Sequence, residues 1–225
     1  MTVQPLSVDL LIFDLDGTLV DTRQDLANSV NFVRKAFGFP ALNLAEVMLY
    51  VGDGVHKLMV RALKSQERRR IDEAIVIFRR HYRQHCLDFS TLYDGALEVL
   101  DHFRAKKMAV ISNKPDEFTL TILKGLRVDH YFKIILGGDS QPELKPSPAP
   151  ILYILEELGV PPEKAVIIGD GATDIESGKR AGIHTCAVTY GFRSRDPLAQ
   201  LQPELMIEHM RELKSCFLGS EPTLP

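Results

Sequence analysis

An α/β fold, a parallel sheet covered by helices and carrying an all-helical insert, is predicted by three features of the sequence. Short apolar runs that read as fully buried strands alternate with amphipathic helical stretches through the second half of the chain. The interval from residue 20 to 89 carries only helical periodicity. Each strand-like run of the core ends abruptly in polar residues, at the edge where open α/β sheets keep their ligands. At 225 residues and 45% hydrophobic, the chain is long enough for one large domain, or for one domain with an insert.

The first strand is Leu10-Leu11-Ile12-Phe13, and it runs straight into Asp14-Leu15-Asp16-Gly17-Thr18. Two Asp at i and i+2 on an extended backbone point the same way, and two carboxylates that close call for a cation. Asp21 or Thr22 then caps a helix to about Phe37, with Leu26, Val30 and Val33 on one stripe, stopped by Gly38 and Pro40. A shorter amphipathic piece, residues 44–50, leads to the loop Val51-Gly52-Asp53-Gly54. Helices bearing Leu58, Met59, Ala62 and Leu63, and then residues 68–87, complete the insert.

From Asp94, a candidate N-cap, a helix carrying Ala96, Val99, Leu100 and Phe103 opens the strand–helix alternation. Strands are predicted at residues 108–111, 133–136, 165–168 and 185–188, and helices at 115–126, 147–158 and 173–181. The tail, 219–225, is expected to fray.

A formal net charge of -3 suggests neither nucleic acid nor a membrane surface as partner. The apolar run at residues 8–13 is too short, and too soon acidic, for a signal peptide or membrane span. Cys86, Cys186 and Cys216 are odd in number and without metal-like spacing, which fits reduced thiols in a cytoplasmic protein.

The polar clusters all follow strands: Asp14 and Asp16 the first, Ser112-Asn113-Lys114 the second, Asp139 and then Lys145-Pro146 the third, and Gly169-Asp170-Gly171-Ala172-Thr173-Asp174 the fourth. Strand ends on one edge of a parallel sheet are neighbours, so up to five acids, one or two lysines and short donors are expected in one pocket. That mixture suits phosphate chemistry with a divalent metal, and hard oxygen ligands favour magnesium.

These motifs resemble the haloacid-dehalogenase-like hydrolase superfamily, in the branch of phosphatases that form an aspartyl phosphate. The resemblance rests on the D-x-D-G-T run Asp14 to Thr18, on Ser112 after its strand, on Lys145, and on Asp170 with Asp174, in that order along nearly the whole chain. It implies a Rossmann-like core of residues 1–19 and 90–225, with residues 20–89 as a helical cap. It also implies that Asp14 attacks phosphorus while Asp16 protonates the leaving oxygen and later deprotonates water. Mg2+ would be held by Asp14, the Asp16 backbone carbonyl and Asp170, with Asp174 binding directly or through water. Ser112 and Lys145 would hold the phosphoryl oxygens, with Asn113 beside them.

The cap run from Gly52 to Met59 resembles the phosphoglycolate phosphatase group, and Gly52, Asp53, Gly54 and His56 are its candidate substrate contacts. The second Asp favours phosphate esters over halides, because a departing halide needs no proton. Two positions depart from the family pattern: Asp94 stands where proline is frequent, and Gly171 where serine is. The expected partner is a small phosphorylated metabolite, with 2-phosphoglycolate the first candidate, acted on by a monomer or homodimer. The alternatives are a phosphomutase of the beta-phosphoglucomutase type and a catalytically silent, metal-binding regulatory protein.

Overall fold

Residues 5–218 are described by the structure, a computed structural model of the chain, and the expectation for residues 219–225 lies outside them. Strand β1 (Leu10–Phe13) leads through a tight turn to the two-residue strand β2 (Val20–Asp21). Helices α1 (Arg23–Ala36), α2 (Leu44–Met48), α3 (Val55–Leu63) and α4 (Arg68–His85) follow, and β3 (Thr91–Leu92) brings the chain back, pairing antiparallel with β2. The remainder alternates as α5 (Ala96–His102), β4 (Lys107–Ile111), α6 (Asp116–Gly125), β5 (Ile134–Leu136), α7 (Ala149–Leu158), β6 (Ala165–Gly169), α8 (Ala172–Ala181), β7 (His184–Val188), α9 (Arg195–Gln200), β8 (Leu205–Ile207) and α10 (Leu213–Cys216).

Six strands form one sheet in the order β5-β4-β1-β6-β7-β8, with every pairing parallel. The strand order reverses at β1, so β1 lies between β4 and β6. Both faces of the sheet are covered, which is why these strands read as unbroken apolar runs. Along β1 the side chains alternate: Leu10 and Ile12 pack in one core with Ile151 and Ile154 of α7, and Leu11 and Phe13 in the other with Met108 and Val110. Burial of each such side chain contributes about 1.5–3 kcal/mol.

Helix α1 packs against α2, α3 and α4 through Val30, Val33, Met59, Ala62, Ile71 and Ala74, all at most 1% exposed. These helices are amphipathic at the spacing read from the sequence.

Three local expectations are corrected. Residues 20–21 are strand rather than helix, because they pair with Thr91 and Leu92. Asp94 does not cap α5: Gly95 holds the N-cap position, and Arg211 takes the Asp94 carboxylate in a paired contact. Thr22 stands at the N-cap of α1, but its hydroxyl turns away to Asp16 while Asp21 accepts from the Arg23 N–H. Strand β8 is only three residues long, too short for a periodic signal.

Candidate active site

Asp14, Ser112 and Asp170 leave the sheet side by side. The register sets Phe13 opposite both Val110 and Ile168, so the polar residues that follow β1, β4 and β6 emerge at one edge, where the strand order reverses. Lys145 reaches the same place from the loop after β5. Its buried ammonium donates to Asp174 Oδ1 at 2.6 Å and to the Ile111 carbonyl at 2.7 Å, and lies 3.0 Å from Asp14 Oδ1.

Asn113 ties three segments together. Its Oδ1 accepts from the Lys145 N–H at 3.0 Å, and its Nδ2 donates to the carbonyls of Lys145 and Gly52, each at 2.9 Å. Asp174 is fully buried in the first turn of α8, where its Oδ2 accepts from the Gly171 N–H at 3.0 Å. The Phe192 N–H donates to Asp170 Oδ2 at 2.6 Å.

One carboxylate oxygen from each of Asp14, Asp170 and Asp174 lies within 4.8 Å of the others. Burial pushes Asp14 up to about 7; Lys145 opposes the rise, while Asp174 and Asp16 add to it. Burial also carries Asp170 to about 8, with Asp14 and Asp174 reinforcing it against the Phe192 N–H and Arg193. Three carboxylates facing the one ammonium of Lys145 leave two negative charges in excess when all are ionised. The donor set fits a hard divalent cation.

Asp16 is placed differently from the expectation that both carboxylates converge. The chain leaves the extended conformation after Asp14, and the N–H groups of Thr18, Leu19 and Val20 all turn back to the Leu15 carbonyl. The Asp16 carboxylate therefore lies outside the three-acid cluster. Its Oδ1 accepts from Lys114 Nζ at 2.7 Å and from the Thr22 hydroxyl. Lys114 Nζ also donates to the Tyr82 hydroxyl at 2.7 Å, from the far side of the cavity on α4.

Asp14, Asp16, Ser112, Asn113, Asp170 and Asp174 line one cavity of about 280 Å³, together with Gly52, Asp53 and Gly54. Leu26, Val55, Leu58, Phe78 and Phe118 make its apolar wall. Two sequence-based expectations are not met here. His56 is exposed and outside the cavity lining. Asp139 belongs to α6 instead, accepting from the Asp116 N–H at 2.6 Å and from Arg79 at 3.3 Å. Asp53 does line the cavity, but its carboxylate is held by Arg61 at 2.5 Å and approached by Lys57 at 3.7 Å.

Tyr82, Thr22 and Arg193 received no site role from the sequence, and Lys114 only a place in the polar cluster after β4. Lys114 and Thr22 adjoin recognised motifs, and that adjacency is a usable signal. Arg193 carries none: it comes from the loop after β7 and donates to the carbonyls of Met48 at 2.7 Å and Val51 at 2.5 Å.

The chain is similar to known proteins in sequence and in fold. A family model described as haloacid dehalogenase-like hydrolase matches residues 11–188. Phosphoglycolate phosphatase 1 of Pseudomonas aeruginosa is 36% identical over 216 residues, 92% of this chain and 79% of that protein. The phosphoglycolate phosphatase of Aquifex aeolicus is 40% identical over 185 residues, 81% of this chain and 85% of that protein. The crystal structure of a predicted phosphoglycolate phosphatase from Haemophilus somnus 129pt aligns with a TM-score of 0.87 at 31% identity, covering 92% of this chain and 96% of that one. The chain belongs to the haloacid dehalogenase-like hydrolases. Its fold and enzyme class are those of the family's phosphatases.

Proposed function

We propose that this phosphatase hydrolyses a small phosphate monoester, with 2-phosphoglycolate the first candidate, through an aspartyl phosphate on Asp14 and with magnesium as cofactor. The observation that carries the reading is that Asp14 and Asp16, two residues apart, sit in one cavity with different partners: Asp14 with Lys145, Asp170 and Asp174, Asp16 with Lys114, Thr22 and the Tyr82 side. A cation at the three-acid cluster would hold Asp14 ionised as the nucleophile, and Asp16, outside that cluster, is left to carry the proton.

In the first step an Asp14 carboxylate oxygen attacks phosphorus, the ester P–O bond breaks, and Asp16 gives its proton to the departing oxygen. In the second, Asp16 takes a proton from water as that water attacks phosphorus. The acyl–phosphate P–O bond then breaks, restoring the Asp14 carboxylate and releasing inorganic phosphate. Lys145 and Ser112 hold the phosphoryl oxygens, and Asn113 fixes the Lys145 backbone. Held by Asp14, Asp170 and the Asp16 carbonyl, with Asp174 beside them, magnesium would screen the approach of one anion to another. Residues 20–89 serve as a cap whose Gly52–Gly54 loop closes the cavity against water. The likeness of the curated relatives supports the substrate suggestion.

The purified chain, given 2-phosphoglycolate and Mg2+, is expected to release inorganic phosphate, and Asp14→Asn to lower that rate by at least about 10³-fold with an unchanged circular dichroism spectrum. Phosphate release by Asp14→Asn at the parent rate would remove Asp14 from the mechanism. With a hexose 1-phosphate supplied as substrate instead, recovery of the isomerised sugar phosphate in place of inorganic phosphate would turn the reading to a mutase.

A further inference from the structure

Two lysines pair with the two motif carboxylates, and of these Lys114 lines the cavity. Lys145 belongs to the Asp14 end, where phosphorus is handled, and Lys114 to the Asp16 end, where the leaving oxygen receives its proton. Lys114 is 7% exposed, and its ammonium sits in an aromatic collar, 4.7 Å above the Tyr82 ring, which itself packs against Phe78 and Phe118. An ammonium has three N–H donors. Among the described residues, Lys114 Nζ directs two of them, to Asp16 Oδ1 and to the Tyr82 hydroxyl. Water is scarce in such a collar, and a charged donor there gains most from a ligand acceptor.

We propose that Lys114 is a substrate-binding residue that reads the leaving group, giving its third N–H to an oxygen on the carbon next to the one bearing the ester oxygen. The substrate class it selects is a monoester of a 2-hydroxy acid or a vicinal diol, with the carboxylate or hydroxyl beside the scissile bond. Alkyl phosphates without that oxygen leave the donor unmatched. Arg193 also lines the cavity, but its guanidinium is turned to the Met48 and Val51 carbonyls rather than to Asp16. The inference rests on the phosphatase reading above, and specifically on Asp16 as proton donor.

The test is the ratio of kcat/KM for 2-phosphoglycolate to kcat/KM for ethyl phosphate. Both substrates need their leaving oxygen protonated; only the first carries the acceptor. Lys114→Met is expected to lower the ratio roughly 10- to 100-fold, the worth of one hydrogen bond to a charged group. A residue acting only by orienting Asp16 would depress both substrates alike, and an unchanged ratio overturns the proposal. Should Lys114→Met fail to fold by circular dichroism, Tyr82→Phe decides: losing one anchor of the ammonium should lower the ratio about 2- to 10-fold, and a parent-like ratio overturns the proposal. A parent enzyme that cleaves both esters with equal kcat/KM defeats the Lys114 inference while leaving the phosphatase reading intact. One that cleaves neither, nor p-nitrophenyl phosphate, defeats both.

Discussion

Asp170 is held between two glycines. A Cβ on Gly17 would overlap its carboxylate, and one on Gly191 would overlap its Cβ and the Gly17 carbonyl. Gly17 also has φ +82, a conformation that a side chain makes costly by about 1–2 kcal/mol. Both conditions follow from the turn that separates Asp14 from Asp16. Gly17→Ala is therefore expected to push Asp170 out of the acidic cluster, and loss of ligand position of this kind weakens metal affinity by roughly 10- to 100-fold. The Mg2+ concentration giving half-maximal activity should rise accordingly. A half-saturating concentration equal to the parent's would show that the neighbourhood yields without moving Asp170.

The loop after β7 and the C-terminal end of α2 form a clasp across the cavity. Helix ends leave carbonyls without intrahelical partners, and here Arg193 from the loop donates to Met48 and Val51 at that end. The same loop presents the Phe192 N–H to Asp170, so one short segment touches both the acidic cluster and the glycine loop above it. Asn113 makes a second tie, through Gly52. Arg193→Ala removes the clasp without touching a carboxylate of the cluster. Two hydrogen bonds from a half-exposed guanidinium predict a fall in kcat/KM of roughly 10-fold, carried mainly by KM. A mutant with the parent's KM would show that the glycine loop is held by Asn113 and packing alone.

The acidic cluster links the stability of the protein to pH and to metal. Asp14 and Asp170 rise from 3.8 to about 7 and about 8, so in the metal-free protein both bind protons more tightly folded than unfolded. A raised carboxyl pKa lowers stability as pH climbs from the unfolded value toward the folded one, because the folded state must then give up protons or confine charges. The metal-free protein should accordingly lose thermal stability between about pH 4 and pH 8 through these groups. At the proposed magnesium site Mg2+ would bind the ionised carboxylates and remove the penalty, so it should raise Tm more at pH 8 than at pH 5. Scanning calorimetry at the two pH values, with and without MgCl2, measures the difference. An equal Mg2+ effect at both would mean that the cluster is not where the ion binds.

The parallel sheet, the helical interval and most of the residues around the cavity could be read from the chain itself. An apolar run such as Leu10–Phe13 records burial on both faces, and its abrupt end in Asp14 records where the strand leaves the core. The same signal located Ser112, Lys145, Asp170 and Asp174, since each follows a strand or its loop. It failed at Asp139 and His56, which also lie near strand ends or glycines but are turned toward α6 and outward to the surface. Tertiary structure alone decided that Asp16 would part from Asp14 and meet Lys114, that Tyr82 would reach Lys114 from α4, and that Arg193 would close the loop over the cavity. Periodicity reports which side of an element is buried. Once the backbone leaves the strand, the direction of each side chain depends on segments far away in sequence, and those contacts leave no local pattern.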